Sequence, residues 1–400
     1  MRINPAYVVG YGMVDALGNN PSDCFMNLIN DYNPVQKLDF MGDHKIQYAI
    51  PCLHELSLPE AFTPKITANM TRAQQMALHA TEQALKMANL PHSSNVAVIV
   101  SSVSNDVEFL DGNFQRFKEN KRVNPFKIVN RIPDMIVGQI TSHYKFHGAS
   151  LAIYASCATG MYSIDYAMRI LDEYDYVIVG GADAGVFEMA LKYFAGLGAL
   201  GNHNCPFDTN REGFVMGEGA GILVLQCRDK VEQYGSKVHA KLYPVGAASD
   251  AVDLTSPATD GCGARIALEK ALNSIESDMI DIVSAHATST PMGDEVEYNI
   301  LKEELPGIPI YAPKSKIGHT LAAASVLECI YSILSMKNHV IPGCYNLKDA
   351  EYDVDHLLVH QPRSIEPNHV EERNHKILRT VNNSFGFGGK CASQVVEVRS

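Results

Sequence analysis

Residues Leu151–Leu171 read LAIYASCATGMYSIDYAMRIL. The run opens apolar, tightens into small residues around Cys157, and then repeats Met161, Ile164, Met168 and Leu171 at helical spacing. It predicts a strand, a sharp turn and a core-facing helix over Thr159–Leu171. Such a turn presents a nucleophile outward with backbone N–H groups beside it. A thiol at a helix N-terminus also feels the positive end of the helix dipole, which favours thiolate. Ala155, Ser156, Ala158 and Gly160 leave room for a substrate. The residues alone leave two readings of Cys157 open: this nucleophile, or the buried structural thiol that a free cysteine usually is.

Outward from that segment, short β-rich runs alternate with longer helical patterns. Ala6–Gly10, Val96–Ser101, Tyr176–Gly180, Gly221–Gln226, Ile282–Ala285 and Gln394–Val398 read as strands, and Thr71–Ala88 as a helix. The alternation predicts an α/β fold with partly parallel sheets, and the near-continuous apolar strands predict sheets covered on both faces. The charged stretch Asp229–Lys241 reads as a surface crossing. It divides the chain into an N-terminal half, 1–238, and a C-terminal half, 239–400. No internal repeat is visible as residue identity. Gly10 and Gly12 follow a strand, but Asp15 stands where a dinucleotide-binding loop needs its third glycine.

The chain has 400 residues, 46% of them apolar and 20% charged, which fits a globular protein and excludes disordered, collagenous and coiled-coil chains. A net charge of -12 argues against a nucleic-acid binder. Nine scattered cysteines with no CxxC pair signal neither a zinc knuckle nor a redox motif, and point to a reduced, cytoplasmic protein. No apolar run is long enough to span a membrane, and the first residues lack a secretory pattern.

Three further segments carry chemistry. HATSTPMGDEVE (286–297) places His286 at the end of an apolar run, where open α/β sheets put ligands. KSKIGHTLAAASVLE (314–328) leads into a helix of small residues with Leu327, Ile330 and Leu334 on its buried face. His319 then lies near that helix's N-terminus, whose dipole keeps the ring neutral and able to donate to a developing oxyanion. NNSFGFGGKCA (382–392) alternates Phe and Gly, as a backbone pressed close to something bulky requires.

In their order along the chain, these motifs resemble the β-ketoacyl-acyl carrier protein synthases of the KAS I/II type, from GYGMVDALGNN near the start to NSFGFGGKCAS at the end. The resemblance implies a thiolase-like fold of two similar α/β halves in five αβαβα layers, usually a homodimer. It implies Cys157 as acyl-accepting nucleophile, His286 and His319 as the pair that stabilises an enolate, and Lys314 paired with Glu328 behind them. Backbone N–H groups of Cys157 and Phe387 would form the oxyanion hole. Phe387 would gate the acyl pocket, and Thr288 and Thr290 would contact pantetheine. Ser101–Arg122 would line the acyl pocket or the dimer interface. The partner implied is an acyl carrier protein, docked through Lys121 and Arg122. No metal or organic cofactor is implied, since the substrates arrive on the carrier's phosphopantetheine.

The chain departs from the family pattern at Ala287, Ala322 and Ser325, where glycines are usual, and at Lys390 and Cys391, where Thr and Asn are common. These changes point to a specialised fatty-acid or polyketide pathway. The alternatives are an acyltransferase with an oxygen or nitrogen acceptor, and a partner subunit of a heterodimeric ketosynthase. Such partner subunits lack the nucleophilic cysteine that is present here. A thiolase would place a second cysteine near the C-terminus, as Cys391 does, but lacks the paired histidine motifs.

Overall fold

The computed structural model describes residues 3–90, 95–104, 116–122, 125, 129–132, 134–273, 275–350, 357–365, 369–371 and 375–399. The site rests on strands β1 (Ala6–Asp15), β2 (Val96–Ser101), β3 (Ser150–Leu151), β4 (Tyr176–Ala184), β5 (Glu218–Gln226), β6 (Ala240–Leu242), β7 (Gly246–Ser249), β8 (Ile282–Ser284), β9 (Ile310–Tyr311), β10 (His375–Gly386) and β11 (Lys390–Arg399). The helices that cover them are α1 (Arg72–Ala88), α2 (Thr159–Ile170), α3 (Glu188–Gly196), α4 (Cys262–Leu272), α5 (Pro291–Glu304) and α6 (Ala324–Asn338).

The first five strands lie in the order β3-β2-β4-β5-β1, with β2 parallel to β3 and β4, and β5 antiparallel to β4 and β1. The later strands lie in the order β9-β8-β10-β11-β6, with β8 parallel to β9 and β10, and β11 antiparallel to β10 and β6. Each set therefore runs third, second, fourth, fifth, first in chain order, with the same strand directions. The duplication that residue identity hides is plain in the topology. Strand β7 continues β6 along β11, and β6 also pairs with β1, which joins the two sheets edge to edge.

Five layers follow from the packing. Helix α1 covers β1, β4 and β5; α2 and α6 fill the space between the sheets; and α4 covers β7 and β11. Every residue of α6 from Ala324 to Met336 is buried, because a sheet or helix lies on all its sides. The sequence reading gave this helix one buried face. A helix sandwiched between two sheets has none left for water.

Strand β1 runs beyond the expected Gly10 to Asp15. A Cβ at Gly10 or Gly12 would collide with the carbonyl oxygens of Ala84 and Ala80 on α1, so these glycines admit a helix backbone rather than a dinucleotide. Helix α1 starts where Thr71 and Gln74 form a reciprocal capping box. Helices α2 and α6 follow the third strand of each set, and their first turns meet. A Cβ on Gly160 would lie 2.6 Å from Ser325 Oγ and 2.9 Å from Ala322 O.

Candidate active site

Cys157 sits in the 3-10 turn Ser156–Ala158 that feeds α2. Ser156 takes φ +50°, a left-handed conformation that L-residues with side chains adopt at a cost, as in other strand-to-helix nucleophile turns. The β10–β11 turn packs against it. A Cβ on Gly386 would stand 2.9 Å from both Cys157 N and Ala155 O, so only glycine fits. The backbone N–H groups of Phe387 and of Cys157 itself are near enough to the thiol to favour its charged form. Burial pushes that thiol up to about 11; Lys314 opposes the rise, Asp183 adds to it, and the two N–H groups oppose it. The helix terminus was expected to favour thiolate. Burial acts against it and raises the thiol instead.

His286 follows β8 at the head of a contorted loop in which Ala287 has φ +38° and Ser289 φ +65°. Two carboxylates of α5 hold this loop. Glu297 accepts the N–H groups of His286 (2.8 Å) and Ala287 (2.7 Å), and Asp294 accepts that of Ser289 (3.0 Å). Burial raises both carboxyls, Asp294 to about 7. The ammonium of Lys314 lies 3.2 Å from His286 Nδ1. An ammonium has only donors, so Nδ1 accepts and the ring's proton sits on Nε2.

His319 is fixed through its backbone, which donates to Val215 O at 2.8 Å, and through Nδ1, which accepts the N–H of Leu321 at 3.3 Å. Its proton also sits on Nε2. The two rings stand 5.7 Å apart at 88°, with Phe385 against His286 and Phe214 against His319. Burial, and next the charge of Lys314, hold both imidazoles well below their ordinary range. The sequence predicts a neutral ring for His319, and the site favours the neutral form of both. The main cause is burial rather than the helix dipole, since α6 begins only at Ala324.

Lys314 is wholly buried and pairs with Glu328, whose carboxyl burial pushes up to about 7 while Lys314 opposes the rise. Cys157, His286, His319, Thr288, Thr290 and Phe387 all line one cleft of about 370 Å³. Thr288 and Thr290 stand hydroxyl to hydroxyl at 3.1 Å, and the Phe387 ring centroid is 6.4 Å from that of Phe194 on α3. Lys390 and Cys391 line the cleft too. Cys391 lies 3.6 Å from Asp250 Oδ1, and burial, then that carboxylate, raise its thiol strongly, which suits no acid–base partner.

Lys121 and Arg122 are exposed and away from this lining, and Lys121 pairs with Glu119 at 2.5 Å. Of Ser101–Arg122, residues 105–115 lie outside the described residues. Three buried carboxylates that shape the site, Asp183, Asp294 and Glu297, were given no role from sequence. Asp294 and Glu297 did leave a signal, two acids three apart in a helix directly after the histidine loop.

Among the described residues no helix is long and apolar enough to cross a membrane. The family profile described as beta-ketoacyl synthase, N-terminal domain, matches residues 4–230, and the corresponding C-terminal domain matches 239–348. The 3-oxoacyl-[acyl-carrier-protein] synthase 2 of Staphylococcus aureus is 30% identical over 96% of this chain and 98% of its own. The protein of the same name from Vibrio harveyi is 27% identical over 97% of each chain. Among solved structures, a beta-ketoacyl synthase from Burkholderia phymatum STM815 superposes with a TM-score of 0.86 at 26% identity over 99% of both chains. A type II polyketide ketosynthase bound to its acyl carrier protein has a TM-score of 0.87 at 23% identity, covering 99% of this chain and 100% of its own.

Proposed function

The chain belongs to the beta-ketoacyl synthase family, and from that premise we propose that it is a 3-oxoacyl-[acyl-carrier-protein] synthase of fatty-acid or polyketide synthesis. It joins an acyl group to a malonyl unit by a new carbon–carbon bond. The observation that carries this reading is the matched pair of neutral imidazoles. Each has Nδ1 occupied by a donor and Nε2–H free to donate, in the same cleft as Cys157.

In the first half-reaction Cys157 Sγ attacks the thioester carbonyl of an acyl group on a carrier protein's phosphopantetheine. The oxyanion forms beside the N–H groups of Cys157 and Phe387. The carbon–sulfur bond to pantetheine then breaks, and that sulfur leaves with the proton Cys157 gives up. Because a thiol replaces a thiol, a resting pKa near 11 is no obstacle to the balance.

A malonyl thioester then enters. The bond to its carboxylate breaks, CO2 departs, and the electron pair becomes an enolate whose oxygen accepts from Nε2 of His286 and His319. The enolate carbon attacks the acyl carbonyl on Cys157. Collapse of the tetrahedral oxyanion expels Cys157 as thiolate, which takes one proton from solvent, and leaves a 3-oxoacyl thioester two carbons longer. Decarboxylation supplies the carbanion, so two neutral imidazoles suffice where a strong base would otherwise be needed.

Lys314, held by Glu328, orients His286 and, with burial, keeps both rings neutral. Thr288 and Thr290 receive the pantetheine arm, and Phe387 gates the acyl side. Each step is completed by these groups and the two thioesters, with no cofactor of the enzyme's own. Exposed Lys121 and Arg122 act as docking cations for an acidic carrier protein, and two chains pair as a dimer. The substituted positions Ala287, Ala322, Ser325, Lys390 and Cys391 support a specialised pathway.

Intact-protein mass spectrometry after incubation with a panel of acyl-carrier-protein thioesters tests the first half-reaction. An acyl adduct on wild type and none on Cys157→Ala is expected. The absence of any adduct would favour a non-catalytic partner subunit.

A further inference from the structure

Asp183 is the penultimate residue of β4, its side chain is wholly buried, and no step above uses it. Its Oδ1 accepts the hydroxyls of Ser102 (2.7 Å) and Ser104 (2.6 Å) and the N–H groups of Ser104 (2.8 Å) and Val103 (3.1 Å). Its Oδ2 accepts the N–H of Ala322 at 2.7 Å. One carboxylate thus holds two segments that meet beside Cys157. Val103 packs in an apolar cluster with Cys157, Phe194 and Leu321. Ala322 is next to Leu321, the residue whose N–H fixes His319 Nδ1.

The second segment needs holding. Leu321 has φ +50°, a left-handed conformation unfavourable for a residue with a side chain. The turn is pressed so close to β4 that a Cβ on Gly181 would collide with the Ala322 carbonyl. Released, the turn would relax, and the Leu321 N–H would leave His319 Nδ1. The imidazole would then be free to rotate or to change tautomer.

We infer that Asp183 is a positioning residue that clamps the Leu321–Ala322 turn, and through it the orientation and tautomer of His319. The inference rests on the condensing reading above. It assigns Asp183 to the malonyl half-reaction, because acylation relies on the N–H groups of Cys157 and Phe387 and not on His319.

The test is Asp183→Asn, which is nearly isosteric. An amide oxygen facing the four donors at Oδ1 leaves its NH2 against the Ala322 N–H, donor against donor, so this change breaks the clamp at Ala322 while the Oδ1 contacts can persist. Single-turnover mass spectrometry gives the rates of Cys157 acylation and of discharge by malonyl carrier protein, and 15N-histidine NMR gives the His319 tautomer. We expect acylation within about threefold of wild type, discharge slowed by at least about tenfold, and loss of the wild-type His319 Nε2–H signal. Gly181→Ala, which displaces the same turn without altering the carboxylate, is expected to give the same split, and decides the matter should D183N not fold. Equal loss of both half-reactions, or an unmoved discharge rate and His319 signal in a folded variant, overturns the inference. Wild-type protein that acylates but never condenses would refute the synthase reading instead, while the NMR comparison would still judge Asp183.

Discussion

Lys314 Nζ stands 3.2 Å from Nδ1 of His286, while the same ammonium is paired with Glu328 on its other side. The buried cation therefore does two things at once. It assigns the imidazole proton to Nε2, and its charge adds to burial in keeping both His286 and His319 neutral. An ion pair this deep is costly to break from one side, because the remaining charge has neither water nor partner.

Lys314→Met should therefore lower both activity and stability. Glu328 would be left buried without its cation and would take up a proton, and His286 would lose the donor that fixes its tautomer. A loss of about 3 kcal/mol in denaturant unfolding is expected, with discharge of the acyl-enzyme more affected than its formation. Unchanged stability would show that the pair is worth little here.

The depressed imidazoles predict a pH dependence of stability with a definite sign. In the unfolded chain each ring protonates near 6.5, while the folded site resists the proton. The unfolded state then binds more protons, so this contribution is complete above pH 6.5 and declines as pH falls towards the folded values. His286→Asn should make unfolding free energy less steep in pH between 6.5 and 5, by at most about 1.4 kcal/mol per pH unit. An equal slope in wild type and variant would contradict the buried, neutral assignment.

Gly386→Ala would set a methyl against Cys157 N and Ala155 O, each 2.9 Å from the new carbon. The displaced N–H groups are the proposed oxyanion donors, and such donors are worth about 10²–10³ in rate. Acylation of Cys157 should slow by that order, and the melting temperature should fall as well, because both neighbours are backbone atoms that must shift. Acylation at the wild-type rate would place the oxyanion elsewhere.

Ala287→Gly should be better tolerated than Ala285→Gly, although both alanines are buried. Ala287 has φ +38°, where glycine relieves about 1 kcal/mol of strain and offsets its own entropic cost. Ala285 lies outside that region, with no strain to recover. Denaturant unfolding of the two variants makes the comparison, and a larger loss at 287 would contradict it.

Much of this site is legible in the chain because its reactive residues sit in local patterns. Cys157 lies in a small-residue turn before a periodic helix, and His286 and His319 each follow a short apolar run or lead into a helix. What stays hidden is the long-range contact of Asp183, which meets Ala322 across 139 positions with no periodicity to mark the pair. The duplication was hidden for a related reason. Strand order and direction are properties of pairing partners, and two halves can keep both while their residues diverge. The raised thiol also escaped, because the helix terminus is visible in sequence whereas the burial that acts against it is not.

A condensing enzyme must have the acyl group on Cys157 removed by a decarboxylated malonyl unit. The most direct test loads wild-type protein with an acyl group, removes excess donor, and adds malonyl carrier protein carrying isotopic carbon at the free carboxyl. The Cys157 adduct is expected to disappear with one labelled CO2 released per acyl group, and the carrier to gain an unlabelled 3-oxoacyl chain two carbons longer. An adduct that persists, or one that leaves to an oxygen or nitrogen acceptor without CO2, would contradict the synthase reading.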